Sequence, residues 1–268
     1  MKLSMWSAYY IDLSPEEAVL ELEKNGYAYS ELSDEHADVL LSRGDPRQVG
    51  AEFRAFAASH GVSFLQGHLM LRAHILNDGD RNYIKAQLDM FEALGVKNAV
   101  LHVDRTRTEL SFGELREANL AAIADLAAHV SGRDTVICLE NIKAPIANSA
   151  ENLLWFIDRI GGENMGICLD TGHLNLTPDR DQAKFIRTAG KYLRALHLAD
   201  NDGSGDQHIM PSAKGTVDFA AVFAGTRAIG YDGLYNYEIS GEREVDLELR
   251  SIKLDYIRRV SEYYYSKR

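Results

Sequence analysis

The sequence contains only two cysteines, Cys138 and Cys168, each inside an apolar run. Two lone thiols exclude a disulfide-stapled secreted scaffold and read as packing residues, so a reducing cytoplasm is the expected compartment. The five prolines are scattered, and no Ser/Gly-rich or single-charge stretch breaks the chain. One domain over residues 1–268 is therefore expected. Apolar runs fall short of the roughly 20 residues that span a bilayer. Met1 to Trp6 lacks the charged-then-apolar pattern of a signal peptide. Positive charge is in deficit, with 29 Lys and Arg against 40 Asp and Glu and a net charge of −11. An excess of that sign repels phosphate backbones and anionic membranes, so neither nucleic acid nor membrane is an expected partner. No G-x-G-x-x-G follows the first strand, which weighs against a dinucleotide, and no organic cofactor is expected.

What the chain has is a repeated unit, a short β-rich run followed by a helical pattern. The clearest strands are NAVLHV (98–103), TVICLE (135–140), MGICLD (165–170), RALHL (194–198) and LYNYEI (234–239). Further strands fit residues 2–6, 27–32 and 62–70, which makes eight. Helices are expected from Ser14 to Gly26 and over 46–60, 78–94, 112–130, 149–160, 181–192, 217–229 and 243–264. The first opens with Ser14-Pro15-Glu16-Glu17, an N-cap, a proline at N1 and acids in the first turn. Alternating strands and helices imply parallel pairing with right-handed crossovers. With 268 residues against about 250 for a TIM barrel, eight units predict a closed (β/α)8 barrel; an open doubly wound sheet is the alternative.

In such a barrel the active site lies at the C-terminal ends of the strands. Glu140 and Asp170 end theirs, and His197 and Glu238 lie near the ends of theirs. Strand alternation puts Cys138 on the face of Glu140 and Cys168 on the face of Asp170. Three carboxylates converging on one mouth repel one another unless a cation sits between them. An O/O/O/N set suits Mn²⁺, Co²⁺, Mg²⁺ or Zn²⁺. Of nine histidines, His68, His102, His173, His197 and His208 fall at or just past strand ends. His36, His60, His74 and His129 read as structural or solvated, and for His68 and His102 a satisfied core histidine stays open. Asp170-Thr-Gly-His173 and Asp206-Gln-His208 are acid–His pairs at metal-site spacing. The glycine-rich loop at 201–205 can turn backbone N–H groups toward an anion. Trp6, Tyr9 and Tyr10 follow the first strand and either wall a pocket by stacking or form a barrel cap or an oligomer contact. Glu31 either holds a substrate hydroxyl or anchors backbone, and Tyr263–Tyr265 either form a homodimer contact or pack on the barrel's outer wall.

Five separated stretches resemble the xylose-isomerase-like TIM barrel superfamily, which holds sugar (phosphate) isomerases and epimerases and the family-2 apurinic-site endonucleases. They are LEN (139–141), GICLDTGHLN (166–175), LHLADNDGSGDQH (196–208), GTVDF (215–219) and YEIS (237–240), in the family's order and on its strands. The resemblance implies a divalent metal held by Glu140, Asp170, His197 and Glu238. It makes Glu140 and Glu238 an acid/base pair that works through a cis-enediolate of a sugar or sugar phosphate. His173 is then a substrate contact, with His68, His102, His208 and Trp6 as further substrate-binding candidates. Ketose 3-epimerases carry an arginine six residues after the histidine ligand. Gly203 stands there, which brings the chain nearer to the broad sugar phosphate isomerase/epimerase members. The endonuclease branch uses nine ligands for three metals. Each has a counterpart among His68, His102, Glu140, Asp170, His173, His197, Asp206, His208 and Glu238, so a multi-zinc phosphoesterase is the main alternative. Against a DNA substrate stand the net charge and the few cations near the mouth: Arg72, Arg105, Arg107, Lys143 and Lys214. A non-catalytic sugar-binding barrel is the third reading.

Overall fold

The computed structural model describes residues 1–267. Eight parallel strands close in chain order into a barrel, with the first paired to the last. They are β1 Lys2–Trp6, β2 Tyr29–Leu32, β3 Ser63–His68, β4 Asn98–Leu101, β5 Val136–Glu140, β6 Met165–Asp170, β7 Leu193–Leu198 and β8 Leu234–Tyr237. The helices α1 Pro15–Lys24, α2 Asp34–Leu41, α3 Pro46–Ser59, α4 Asp78–Leu94 and α5 Phe112–His129 cover the first half. The second half has α6 Ala150–Ile160, α7 Thr171–Asn175, α8 Gln182–Ala189, α9 Phe219–Ala228 and α10 Leu247–Ser266. Among the described residues, no helix is long and apolar enough to cross a membrane.

Local chemistry explains most of the helix limits. Ser14 and Glu17 form the reciprocal capping box that opens α1. Ser111 and Glu114 do the same for α5. Gly95, at φ +98°, closes α4 in the left-handed region. The helix expected over 181–192 stops at Ala189, where Gly190 (φ +52°) leads into a short 3₁₀ turn. Those expected from 217 and 243 begin later, at Phe219 and Leu247. Two helices were not anticipated. One is α2, capped by the Ser33 hydroxyl accepting from the His36 N–H. The other is α7, a single turn capped by the Asp170 carboxylate.

Apolar residues fill two separate spaces. The large core lies between sheet and helices and includes Phe91, Phe156, Phe219, Phe223 and Tyr235. The second, within the barrel, groups Val100, Val136, Cys138, Cys168 and Ala195. Both cysteines are fully buried and burial pushes their thiols up, Cys138 to about 12, so they pack rather than react. The small residues lie a layer beneath Glu140 and Asp170, as alternation predicts. Gly215 of the GTVDF stretch is required by packing, since a Cβ there would lie 1.8 Å from Asp200 Oδ1. The Asp200 carboxylate accepts from the backbone N–H groups of Asn201, Ser212 and Val217 and closes the long loop after β7.

Candidate metal centre

Strand β5 delivers Glu140, β6 delivers Asp170 and β7 delivers His197. Glu238 stands one residue beyond β8, which ends at Tyr237 and not at Ile239 as expected. Its N–H still donates to Leu198 O at 3.1 Å, so the barrel ladder holds it in place. An oxygen or nitrogen from each of these four buried residues lies within 4.8 Å of the others. Asn141 fastens two of the strand ends together, donating to Asp170 O at 2.9 Å and accepting from the Asp170 N–H at 2.8 Å.

Glu140 is ringed by imidazoles. His102 Nε2 is 3.0 Å and His68 Nε2 3.4 Å from its Oε2, with His197 Nδ1 at 3.2 Å. On the other oxygen, His173 Nδ1 is 3.0 Å from Oε1. His173 Nε2 reaches Asp206 at 3.1 Å, and His208 Nε2 lies 3.3 Å from the same carboxylate. The nine residues fall into three groups of metal-site size: His68, His102 and Glu140; Glu140, Asp170, His197 and Glu238; His173, Asp206 and His208. Three rings are pinned from behind. His68 Nδ1 contacts Leu69 O at 2.6 Å, His208 Nδ1 contacts Glu238 O at 2.7 Å, and His197 Nε2 contacts Glu31 at 3.0 Å. In each the outer nitrogen is tied to a carbonyl or carboxylate while the other faces inward, as a ligating imidazole requires.

Charge balance is internal to this cluster. Burial alone would raise Glu140, but His102 and His197 outweigh it and hold the carboxyl well below the usual range. Glu238 is likewise brought down to about 2, His197 overcoming its burial. Asp170 moves the other way, to about 6, through burial and the neighbouring charges of Glu140 and Glu238, against the pull of His173. Burial opposes protonation of His68 and His208, yet Glu140 raises the first to about 9 and Asp206 the second to about 10. His102 is lowered by burial.

The donor set fits a cation. Glu140 Oε2, Asp170 Oδ2, His197 Nδ1 and His102 Nε2 are buried and have no hydrogen-bond partner. Buried polar atoms are paired in the great majority of cases, and these four belong to neighbouring ligand groups. An oxygen-rich, imidazole-containing set suits Mn²⁺, Co²⁺, Mg²⁺ or Zn²⁺ alike.

Above the cluster opens a cavity of about 530 Å³, lined by Glu140, Glu238, His102, His173, Asp206 and His208 together with the 71–74 and 103–106 loops. Of the five basic residues expected near the mouth, Arg72 and Arg105 line it, whereas Arg107, Lys143 and Lys214 do not. Trp6 is also absent from the lining, although it ends β1; its indole N–H is buried without a partner. The stacking role expected of Tyr9 and Tyr10 is not what the structure shows. A 3₁₀ turn over Ser7–Tyr10 swings both rings into the core, and the Tyr9 hydroxyl donates to Arg250 O at 2.8 Å. The glycine-rich loop does not form an anion nest. Its N–H groups at Asp202, Gly203 and Ser204 are taken by the side chains of Gln207, Asn201 and Asp202. His36, His60 and His129 are structural, bonded to Ser7, Glu23 and Asp89. His74, set aside with them, lies on the cavity wall. Glu31, whose role the sequence left open, is fully buried against His197, with Gln66 and Asn236 beside it. Both amides sit two residues before a ligand-group residue in their strands, a polar interruption at inward positions that was readable.

Residues 19–259 match the xylose isomerase-like TIM barrel family. The chain belongs to it. Among curated proteins it is 30% identical over 169 residues to the uncharacterised protein y4fM of Sinorhizobium fredii, covering 60% of this chain and 53% of that one. It spans about half the length of that relative and of the next one matched. The L-ribulose 3-epimerase of Methylomonas sp. is 27% identical over 254 residues, 91% of this chain and 85% of that protein. The solved D-psicose 3-epimerase from Clostridium cellulolyticum superposes with a TM-score of 0.83 over 100% of both chains at 18% identity. The 3-keto-D-glucoside 4-epimerase of E. coli does so with 0.77 at 18% identity, over 97% of this chain and 99% of that one. At such identities the superpositions speak for the shared barrel.

Proposed function

We propose that this xylose isomerase-like barrel is a divalent-metal-dependent isomerase or epimerase of a sugar or sugar phosphate, with Glu140 and Glu238 as its acid/base pair. The observation that carries the reading is the strand-end quartet: two buried glutamates, one aspartate and one histidine whose donor atoms converge, with Glu140 Oε2, Asp170 Oδ2 and His197 Nδ1 left without hydrogen-bond partners. Sequence relatives that are ketose 3-epimerases, covering 68% and 91% of this chain, support the substrate class. A divalent ion held by the quartet would polarise a ketose carbonyl and the neighbouring hydroxyl, making the C–H between them acidic. Glu238, ionised with its carboxyl near 2 and bordering the cavity, can accept a proton from the substrate. Glu140, also held ionised, must take up a proton before it can return one to the substrate, so exchange with water accompanies turnover. His173 and His208 border the same cavity, which supports their reading as substrate contacts.

A second reading has its own observation. All nine endonuclease-type ligand positions fall into three metal-sized groups, more than a one-metal isomerase needs, so a multi-metal phosphoesterase is the competing function. Among lysines and arginines only Arg72 and Arg105 line the cavity, too few for the phosphate contacts a duplex binder makes. The deciding experiment measures the metal content of the purified protein and screens free and phosphorylated ketoses beside an abasic-site oligonucleotide. Metal-dependent interconversion of a ketose is expected. Three bound zinc ions with oligonucleotide cleavage and no isomerisation would establish the phosphoesterase instead.

A further inference from the structure

The interior beneath the ligand groups is of two kinds. Under β4 to β7 it is apolar, the cluster of Val100, Val136, Cys138, Cys168 and Ala195. Toward β8, β1, β2 and β3 it is polar: Asn236, Ser4, Glu31 and Gln66 are all fully buried. A buried carboxylate costs several kcal/mol unless it is compensated, so packing alone gives no reason for Glu31. Its contacts point to one. Both Glu31 oxygens lie 3.0 Å from His197 Nε2. Asn236 Nδ2 donates to Oε2 at 2.7 Å, and Gln66 Nε2 donates to the same oxygen. The Ser4 hydroxyl donates to Asn236 Oδ1 at 2.8 Å, which fixes the amide with its NH₂ toward Glu31. Among the described residues the one ionic partner of Glu31 is His197. The opposite nitrogen of that ring, Nδ1, is 3.2 Å from both Glu140 and Glu238 and has no hydrogen-bond partner.

We infer that Glu31 is a positioning residue for the metal centre: it takes the Nε2–H of His197, so that Nδ1 presents its lone pair to the cation, and Gln66, Asn236 and Ser4 hold the carboxylate in place. The inference rests on the reading of His197 as a metal ligand. A carboxylate behind a ligating imidazole fixes tautomer and ring orientation and makes the ring a better donor, and losing such a partner typically weakens metal binding about 10–100-fold.

The test titrates metal-stripped, full-length protein with Mn²⁺ by calorimetry, without substrate. Glu31→Gln keeps the side chain's shape and an acceptor oxygen but removes the charge. Its Mn²⁺ dissociation constant is expected to rise about 10–100-fold with an unchanged far-UV spectrum, and the visible spectrum of the Co²⁺ form is expected to shift. In a His197→Gln background the same substitution is expected to change affinity by less than about twofold, because the coupling runs through that one ring. If Glu31→Gln does not fold, Glu31→Asp, which withdraws the carboxylate from the ring by one methylene, is expected to weaken Mn²⁺ binding in the same direction. Wild-type affinity in whichever variant folds would overturn the role of Glu31. Wild-type protein that binds no Mn²⁺ would instead overturn the metal reading itself.

Discussion

Glu140 is 1% exposed, faces four imidazoles, and has an oxygen that satisfies no hydrogen bond. Glu238 sits opposite in the same group, contacting His197 Nδ1 at 3.2 Å. Glu140→Gln and Glu238→Gln are each expected to lower kcat by about 10²–10⁴-fold, the usual contribution of a general acid or base, while the far-UV spectrum stays that of the wild type. Full activity in either variant would remove that residue from the proton-transfer role. The convergence of these four residues was legible because each belongs to a local pattern: an acid closing an apolar run for Glu140 and Asp170, and a polar residue near the end of a strand for His197 and Glu238. Glu31 was legible as a polar residue in a strand but not in its purpose, since its partner is 166 positions away and only barrel closure brings them together. The burial of Tyr9 and Tyr10 was hidden for a related reason. An aromatic run after a strand suggests a pocket wall, and nothing local signals the 3₁₀ turn that carries the two tyrosines into the core.

The repeated units were readable from strand runs and capping residues, and β1 and β6 keep the limits expected of them. Several ends moved: β8 stops before Glu238, although a ladder bond continues, β3 and β4 stop at His68 and Leu101 and not at 70 and 103, β2 starts at Tyr29, and α9 and α10 start late, at Phe219 and Leu247. Between α3 and α4 the packing is close enough that a Cβ at Gly50 would lie 2.4 Å from Met90 O and 3.0 Å from Ala93 Cβ. Alanine is the better helix former by about 1 kcal/mol, but overpacking of this kind costs about 1–3 kcal/mol, and the backbone oxygen has little room to yield. Gly50→Ala is therefore expected to lower stability by roughly 1 kcal/mol in denaturant unfolding. Gly113→Ala, in the first turn of α5 where a Cβ meets nothing within 4 Å, is expected to be neutral or to stabilise by up to about 1 kcal/mol. The reverse order of these two variants would contradict the packing described for α3 and α4.

For the whole molecule, closure of the barrel gathers side chains from β3 through β8 at one mouth, and that gathering separates a candidate metal centre from scattered acids and histidines. Net charge of −11 and a cavity with two arginines suit a small polyhydroxylated substrate better than a nucleic acid. The fold and the strand-end placement of Glu140, Asp170, His197 and Glu238 could be read along the chain because both follow from repetition. The grouping of nine candidate ligand residues into three sets could not, because it depends on which loops approach Glu140. The central claim is that this centre moves a proton on and off a sugar carbon with the help of a metal ion. Its most direct test is to incubate metal-loaded and metal-stripped protein with ketoses in deuterated water and follow carbon-bound deuterium by NMR. The account predicts incorporation at C1 or C3 with the metal-loaded protein and none with the stripped protein; interconversion of the ketose without any incorporated deuterium, or at the same rate without metal, would contradict it.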